Sequence, residues 1–598
     1  MITLTEASER PFPRRCARGR RHALRAGRPS RRPVRCRPRV PLRCRGPSPL
    51  CLSYALCYAS THVFVGSRVT DRWLPISVPE PEGRIAARRW ERTKRLAPGE
   101  RRSAVTPHSA DDPAPVARFR EVLSPPPAYE FPITDLDHLD VPVWTIAQWH
   151  DGEMVTSTGY GRTDDRARIG AWGELAERAV RYTLPDLPSR RASYGELSEA
   201  GVDAIDPRRL RLPVATDYDH GREIEWIEAT RYPFEESVWV PIEAAATAPS
   251  QLPESAPDPL FTPVTNGLGA GDSLERALSH ALCELIQRDG NSVSYRATDR
   301  GVEIDLSDVA DPEIGAILDQ YEETGLDVQV KLADTPLDIV SLYVVGAERD
   351  PRDAPHPLTL TGCGEGAHPD REVALKKALL EFAASRVRKR FYHAIDPMAK
   401  SDLLPEAYRE RVRKNPPGKG EQRAYDAMCE WLELDAEGMM ARIDSPIFDV
   451  RERVALSSLP TVAPETVETP ADLLDCVTGR YDAADMEVCY VDLSPDSTTR
   501  VVKAIVPGME VETMTYDRIG PRNLQRLFDR DSDLAGLLAD GAPESAHRVP
   551  LTEADEAAVG GPAWFDPEAA RRVTDGLYAL YREPARHAIA MHGDLPGE

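Results

Sequence analysis

The residues best placed to do chemistry are glutamates that follow a glycine-spaced stretch and precede an arginine by four positions. Gly159–Arg178 reads GYGRTDDRARIGAWGELAER, and Gly267–Arg288 reads GLGAGDSLERALSHALCELIQR. Gly161 leads to Glu174 and Arg178, and Gly271 leads to Glu284 and Arg288, with the same spacing in both. A looser third copy, GEGAHPDREVALKKALLEFAASR, puts Gly366 ahead of Glu381 and Arg386. Glycine-rich turns let backbone N–H groups approach a ligand, and a following helix aims its dipole at the same place, which suits phosphate. Glu174 and Glu177 are three apart and share a helix face, and Glu284 and Gln287 repeat the arrangement. Carboxylates from two helices facing one phosphate-binding pocket repel unless a cation sits between them, and Mg2+ takes a few carboxylates together with phosphate oxygens. Arg178, Arg288 and Arg386 could grip phosphate in a forked geometry. The same spacing also occurs on ordinary solvated helices, and the glycines equally serve plain turns.

These residues need helices to carry them. Asp165–Thr183, Ser273–Arg288 and Arg371–Arg390 read as amphipathic helices. In the third, Val373, Leu375, Ala378, Leu379, Phe382 and Ala383 form one apolar face. Val141–Ala147 and Ile339–Val345 read as strands, being short, apolar and rich in β-branched residues. Pro-rich stretches at 248–263 and 459–470 read as loops, and Leu403–Leu434 and Asp566–Tyr581 as further helices. Strands and helices mix without a strict βαβ rhythm, so the fold class is α+β. The motifs GxxxxGK[ST], HExxH, GxSxG and paired CxxC are absent from the sequence.

Composition divides the 598 residues in two. The whole chain holds 75 Lys and Arg against 97 Asp and Glu, a net charge of −22. Residues 1–110 carry 25 basic and 7 acidic side chains, and the remaining 488 carry 50 and 90. The body is therefore at −40, which repels nucleic-acid phosphate. No apolar run reaches the ~20 residues that span a bilayer. The head, Pro-punctuated and without periodicity, reads as a disordered or mis-assigned extension. Scattered Cys283, Cys363, Cys429, Cys476 and Cys489 point to a cytoplasmic protein without a disulfide framework. Dense carboxylates with only 9 Lys in the chain read as adaptation to a high-salt cytoplasm.

Thr265–Asp289, TNGLGAGDSLERALSHALCELIQRD, resembles the signature of the YcaO superfamily, an S/T-N-G-x-x-A-G stretch leading into a Glu-rich helix ending E-R-D. Gly159–Arg178 and Gly362–Arg386 resemble its first and third motifs. Tyr490–Pro495, Val501–Glu510 and Arg518–Arg522 are similar to its C-terminal segments, and Asp135–Trp144 to its opening. The resemblance implies mixed sheets with long helices framing an ATP/Mg site over residues 111–545, with 546–598 a C-terminal helical segment. It implies phosphorylation of a peptide-backbone amide oxygen by ATP, leading to thioamide or azoline formation. By motif, Glu174, Glu177, Glu284 and Gln287 would hold Mg2+, and Asn266, Gly267, Arg288, Glu381 and Arg386 the nucleotide. The expected partners are a peptide or protein substrate, a TfuA-like or other substrate-presenting protein, and a second copy in a homodimer.

Four positions depart from the family pattern. Gln287 stands where a second Glu is usual, Gly170 replaces Ser, Tyr160 replaces Lys, and Arg276 replaces Glu. The ending HGDLPGE lacks the Pro-rich tail of azoline-forming members. These changes leave open a catalytically impaired member that binds nucleotide or scaffolds a modification complex.

Overall fold

The computed structural model describes residues 113–592 apart from 124–127, 151, 180–183, 185–186, 254–258, 401, 419 and 495–496. The chain divides into units 1–84 and 85–598, and every described residue lies in the second. The expected disordered head falls outside the described residues.

Strands β1 (Tyr129–Pro132), β2 (Val143–His150) and β3 (Glu153–Tyr160) form an antiparallel sheet, and helix α1 (Asp164–Ala179) follows β3 and packs back on it. Strands β4 (Ser189–Ser193), β5 (Glu223–Tyr232), β6 (Glu236–Pro241) and β7 (Leu268–Gly271) lead into α2 (Leu274–Asn291). Strands β8 (Val302–Asp305), β9 (Leu326–Asp334), β10 (Val340–Glu348) and β11 (Cys363–His368) lead into α3 (Arg371–His393). The later strands are β12 (Glu452–Ala455), β13 (Val488–Asp492), β14 (Arg500–Ile505), β15 (Ala535–Leu537), β16 (His547–Arg548) and β17 (Ala563–Phe565). They complete a sheet ordered β4-β5-β13-β14-β7 with β6 on β5, a sheet ordered β11-β10-β9-β8-β12, and a small sheet β15-β17-β16. Only β12–β8 is parallel among the paired strands, so the α+β class holds. Among the described residues no helix is long and apolar enough to cross a membrane. The small sheet runs across residue 545, and 546–592 therefore carries strands as well as helices.

The glycines of the repeat do a different job from the one their spacing predicts. A Cβ on Gly159 would lie 2.0 Å from the Ala167 carbonyl oxygen, on Gly269 2.0 Å from that of Ala277, and on Gly366 2.2 Å from that of Ala374. Each glycine is on a strand, and each carbonyl belongs to the helix eight residues on. The glycines lie under a helix, and they let the backbones approach more closely than any side chain permits. Ser273 caps α2 by accepting from the Arg276 N–H (3.2 Å), and Asp370 caps α3 by accepting from the Glu372 N–H (2.9 Å). The apolar face of α3 is buried through Leu375, Ala378, Leu379, Phe382 and Ala383, which pack on the β8–β10 side chains. Val373 is 40% exposed, outside that face.

Gly269→Ala is expected to cost about 3 kcal/mol or more by overpacking. Gly315→Ala, in the helix Pro312–Glu323 with open space at its Cβ, should stabilise by about 0.5–1 kcal/mol. Urea denaturation of both variants checks the contrast.

Candidate functional site

Each of the three helices fastens a glutamate to the strand that precedes it. The Thr158 N–H donates to Glu174 (2.7 Å), the Gly267 N–H to Glu284 (2.9 Å) and the Glu365 N–H to Glu381 (3.1 Å). Glu177 likewise accepts from the Ala270 N–H (2.9 Å), bridging from α1 to β7. Every carboxylate is thus oriented by a backbone donor at a strand edge, and the backbone at Gly267 (φ +84°) favours glycine twice over, because a Cβ there would also lie 2.7 Å from the Ala504 carbonyl oxygen.

Four residues on, the repeat diverges. Arg178 donates to Glu174 (2.6 Å) and to the Thr156 carbonyl (2.8 Å). Arg288 donates to Glu365 (2.7 Å) and lies 3.6 Å from Glu284. In α3 the matching position is Ser385, not Arg386. Arg386 is one residue further, about 100° around the helix. There it is fully buried and pairs with Asp137 (2.7 Å) and Glu348 (2.5 Å). The sequence placed Arg386 against phosphate, but the structure commits it to the core.

Asn266, Glu284, Arg288 and Glu381 line one cavity of about 810 Å3, together with Arg178, Arg296, Glu365, Ser385, Lys389 and Glu512. Gly267, Glu174, Glu177, Gln287 and Arg386 are not on its surface. Asn266 donates to Glu512 (3.0 Å). Gln287 donates to Glu365 (3.1 Å), while its amide oxygen accepts from Lys377 (3.1 Å), so that oxygen is turned toward a cation of α3.

Glu365 is the residue that the repeat misses. Gln287, Arg288, Asn291 and Tyr295 all donate to it. Burial pushes its carboxyl up, but Arg288 and Arg296, with bonds from Tyr295 and Gln287, outweigh that and hold it below its ordinary value. Glu381 goes the opposite way, raised by burial and then by Glu365. The only sequence signal for Glu365 is its place between two glycines of β11. Asp289, the last residue of the E-R-D-like run, is fully buried and accepts from Arg522 (2.9 Å) and from the Glu510 N–H (2.8 Å). It ties the end of α2 to the Arg518–Arg522 segment.

As they stand, no three His, Cys, Asp or Glu side chains among the described residues converge closely enough to hold a metal ion. The donor set nevertheless suits Mg2+, which takes one or two carboxylates and fills its remaining positions with water and phosphate oxygens. Glu177 is pushed up to about 8 by burial and then by Glu284 and Glu174, a repulsion that a cation would relieve. Arg288 Nε and Arg296 Nε are buried donors without an acceptor, which suits an anionic ligand in the cavity.

Residues 158–510 match the family model described as YcaO cyclodehydratase, ATP- and Mg2+-binding. An uncharacterized protein of Methanothermobacter thermautotrophicus is 29% identical over 393 residues, covering 65% of this chain and 91% of the relative. A protein in the tfuA 3′ region of Rhizobium leguminosarum bv. trifolii is 24% identical over 420 residues, covering 67% and 88%. Among solved structures, a heterocyclase in complex with substrate and cofactor shares 19% identity at a TM-score of 0.49. That match covers 68% of this chain and only 55% of the heterocyclase. YcaO from Methanopyrus kandleri bound with AMPPCP and Mg2+ shares 20% at 0.44, covering 68% and 91%.

Two outcomes follow. Arg386→Met removes the guanidinium between the buried carboxylates of Asp137 and Glu348, leaving them the His138 N–H (2.8 Å) and the His138 ring (3.4 Å), and should cost about 3–5 kcal/mol in urea denaturation. Glu177 has a folded pKa above its unfolded one, so the folded state holds a proton that the unfolded state releases. In metal-free protein this contribution is present at low pH and is lost as pH rises from about 4.5 toward 8. Thermal midpoints in EDTA should fall across that window in wild type and fall less in Glu177→Gln.

Proposed function

The chain belongs to the YcaO family, and on that premise we propose that it uses ATP and Mg2+ to activate a backbone amide of a peptide or protein for thioamide or azoline formation. ATP, when bound, supplies the phosphoryl group that turns the amide oxygen into a good leaving group. The observation that carries the reading is the set of strand-anchored glutamates of α1, α2 and α3 beside one cavity lined by Arg178 and Arg288.

In this reading Glu174, Glu177 and Glu284 hold Mg2+, and a backbone N–H bond fixes one oxygen of each; the other oxygen of Glu174 accepts from Arg178 and exchanges that bond for the metal. Arg178 and Arg288 neutralise phosphate charge, and Asn266 lies against the nucleotide. Glu381 sits across the cavity as a further polar contact, and Gln287 serves by orienting Glu365. Gly267 acts through its backbone. Catalysis then rests on positioning and on charge neutralisation.

The thioamide branch is favoured by the relative from the tfuA 3′ region, and with it a TfuA-like protein that presents the substrate. The Lys377 bond to Gln287 favours a second reading, an impaired member, because it sets a cation at a position where the resemblance expects a metal ligand.

The test is Mg2+-dependent ATP turnover by the full chain in molar KCl, with and without a TfuA-like partner and candidate peptides. Glu284→Gln should lower turnover at least ~100-fold while leaving the fold intact. Wild-type protein that binds ATP but never turns it over would establish the impaired reading instead.

A further inference from the structure

Bond formation between a sulfur or oxygen nucleophile and an amide carbon releases a proton, which something in the cavity must take. Among the described residues no histidine lines the cavity. Glu365 is occupied by four donors, and Glu381 holds the Glu365 N–H. The Cys363 thiol is pushed up to about 11 and the Tyr581 phenol to about 12, both chiefly by burial, so neither ionises readily.

Lys389 stands apart from these groups. Lys377, Glu381, Ser385 and Lys389 form a polar stripe along α3 at intervals of four, and the last three line the cavity. Lys389 is 4% exposed and has no carboxylate partner among the described residues. Its Nζ donates to the Thr361 carbonyl (2.6 Å) and to Ser385 Oγ (3.0 Å). A neutral amine has two N–H bonds and one lone pair. Two acceptors occupy both N–H bonds and leave the lone pair as the remaining direction, on a residue that lines the cavity. The charged and titratable groups facing it are Arg296 after α2, Cys363 on β11, and Arg386, Arg388 and His393 on its own helix. Burial first, and then the arginine charges, favour the neutral amine and bring it down to about 7.

We propose that Lys389 is the proton acceptor of this cavity, a role that rests on the amide-activation reading above. The nucleophile's bond to hydrogen breaks, and its electron pair forms the new bond to the amide carbon. The carbonyl π pair moves onto oxygen, and the proton converts the Lys389 amine to an ammonium held by Thr361 and Ser385. Buried lysines with low pKa suit this work.

Three measurements on the full chain test it. The chain has only 9 lysines, so Nζ-labelled protein gives a spectrum in which Lys389 is assigned by its loss in Lys389→Arg. Its titration midpoint should lie near pH 7, and a midpoint at the ordinary lysine value near 10.4 would overturn the proposal. Lys389→Arg, which fixes a positive charge at that position and cannot accept a proton, should bind AMPPCP as wild type does and lose peptide product at least ~100-fold. Lys389→Ala should regain product with added methylamine, its pH–rate profile following the amine, which a merely structural lysine would not give. Product formation by Lys389→Arg equal to wild type would overturn only the role of Lys389. Wild-type protein that modifies no presented peptide would overturn the amide-activation reading, while the NMR midpoint still reports on the amine itself.

Discussion

The site depends on a carboxylate of a helix accepting a backbone N–H at a strand edge. This contact occurs in the same way at Glu174, Glu284 and Glu381, and it requires helix and strand to lie closer than side chains normally allow. Gly159, Gly269 and Gly366 supply that closeness, because a Cβ at each would run into a helix carbonyl. The glycine therefore comes first in the physical order: it permits the approach, the approach lets the glutamate reach the edge, and the edge fixes the carboxylate. A strand edge with open N–H groups is usually a liability, and here the helix side chains cover it.

Electrostatics follows from that geometry. A body with 90 acidic side chains against 50 basic ones would seem a poor host for a triphosphate. The cavity resolves this locally, by mixing carboxylates held by backbone donors with arginines of which two have an orphaned buried donor. Glu365 binds this arrangement together, since four donors from α2 and the turn after it converge on one carboxylate of β11. Metal affinity in such a site is set as much by what orients the ligands as by the ligands themselves.

Much of this was legible in the sequence. The three helices, the glutamates and the overall α+β class are readable because helical periodicity and the Gly-to-Glu spacing are local properties. Arg386 was misplaced because the third copy has an extra residue before its arginine, and one residue carries a side chain about 100° around a helix. The role of the glycines was misread because a glycine in a ligand loop and one beneath a helix look alike without the third dimension. Glu365 and Lys389 carry no motif. Only the four-residue polar stripe on α3 could have drawn attention to Lys389, and nothing in the sequence tells that two acceptors would hold its amine.

In the proposed function the strand-anchored glutamates of α1 and α2 and the arginines four residues on form one Mg2+–nucleotide site. The most direct test is an anomalous-scattering map from crystals holding Mn2+ and AMPPCP. A manganese peak is expected on the Glu284 carboxylate and on Glu174 or Glu177, with the phosphates against Arg178 and Arg288, and with Arg386 still paired in the core. A manganese peak away from all three glutamates, or phosphates seated on Arg386, would contradict it.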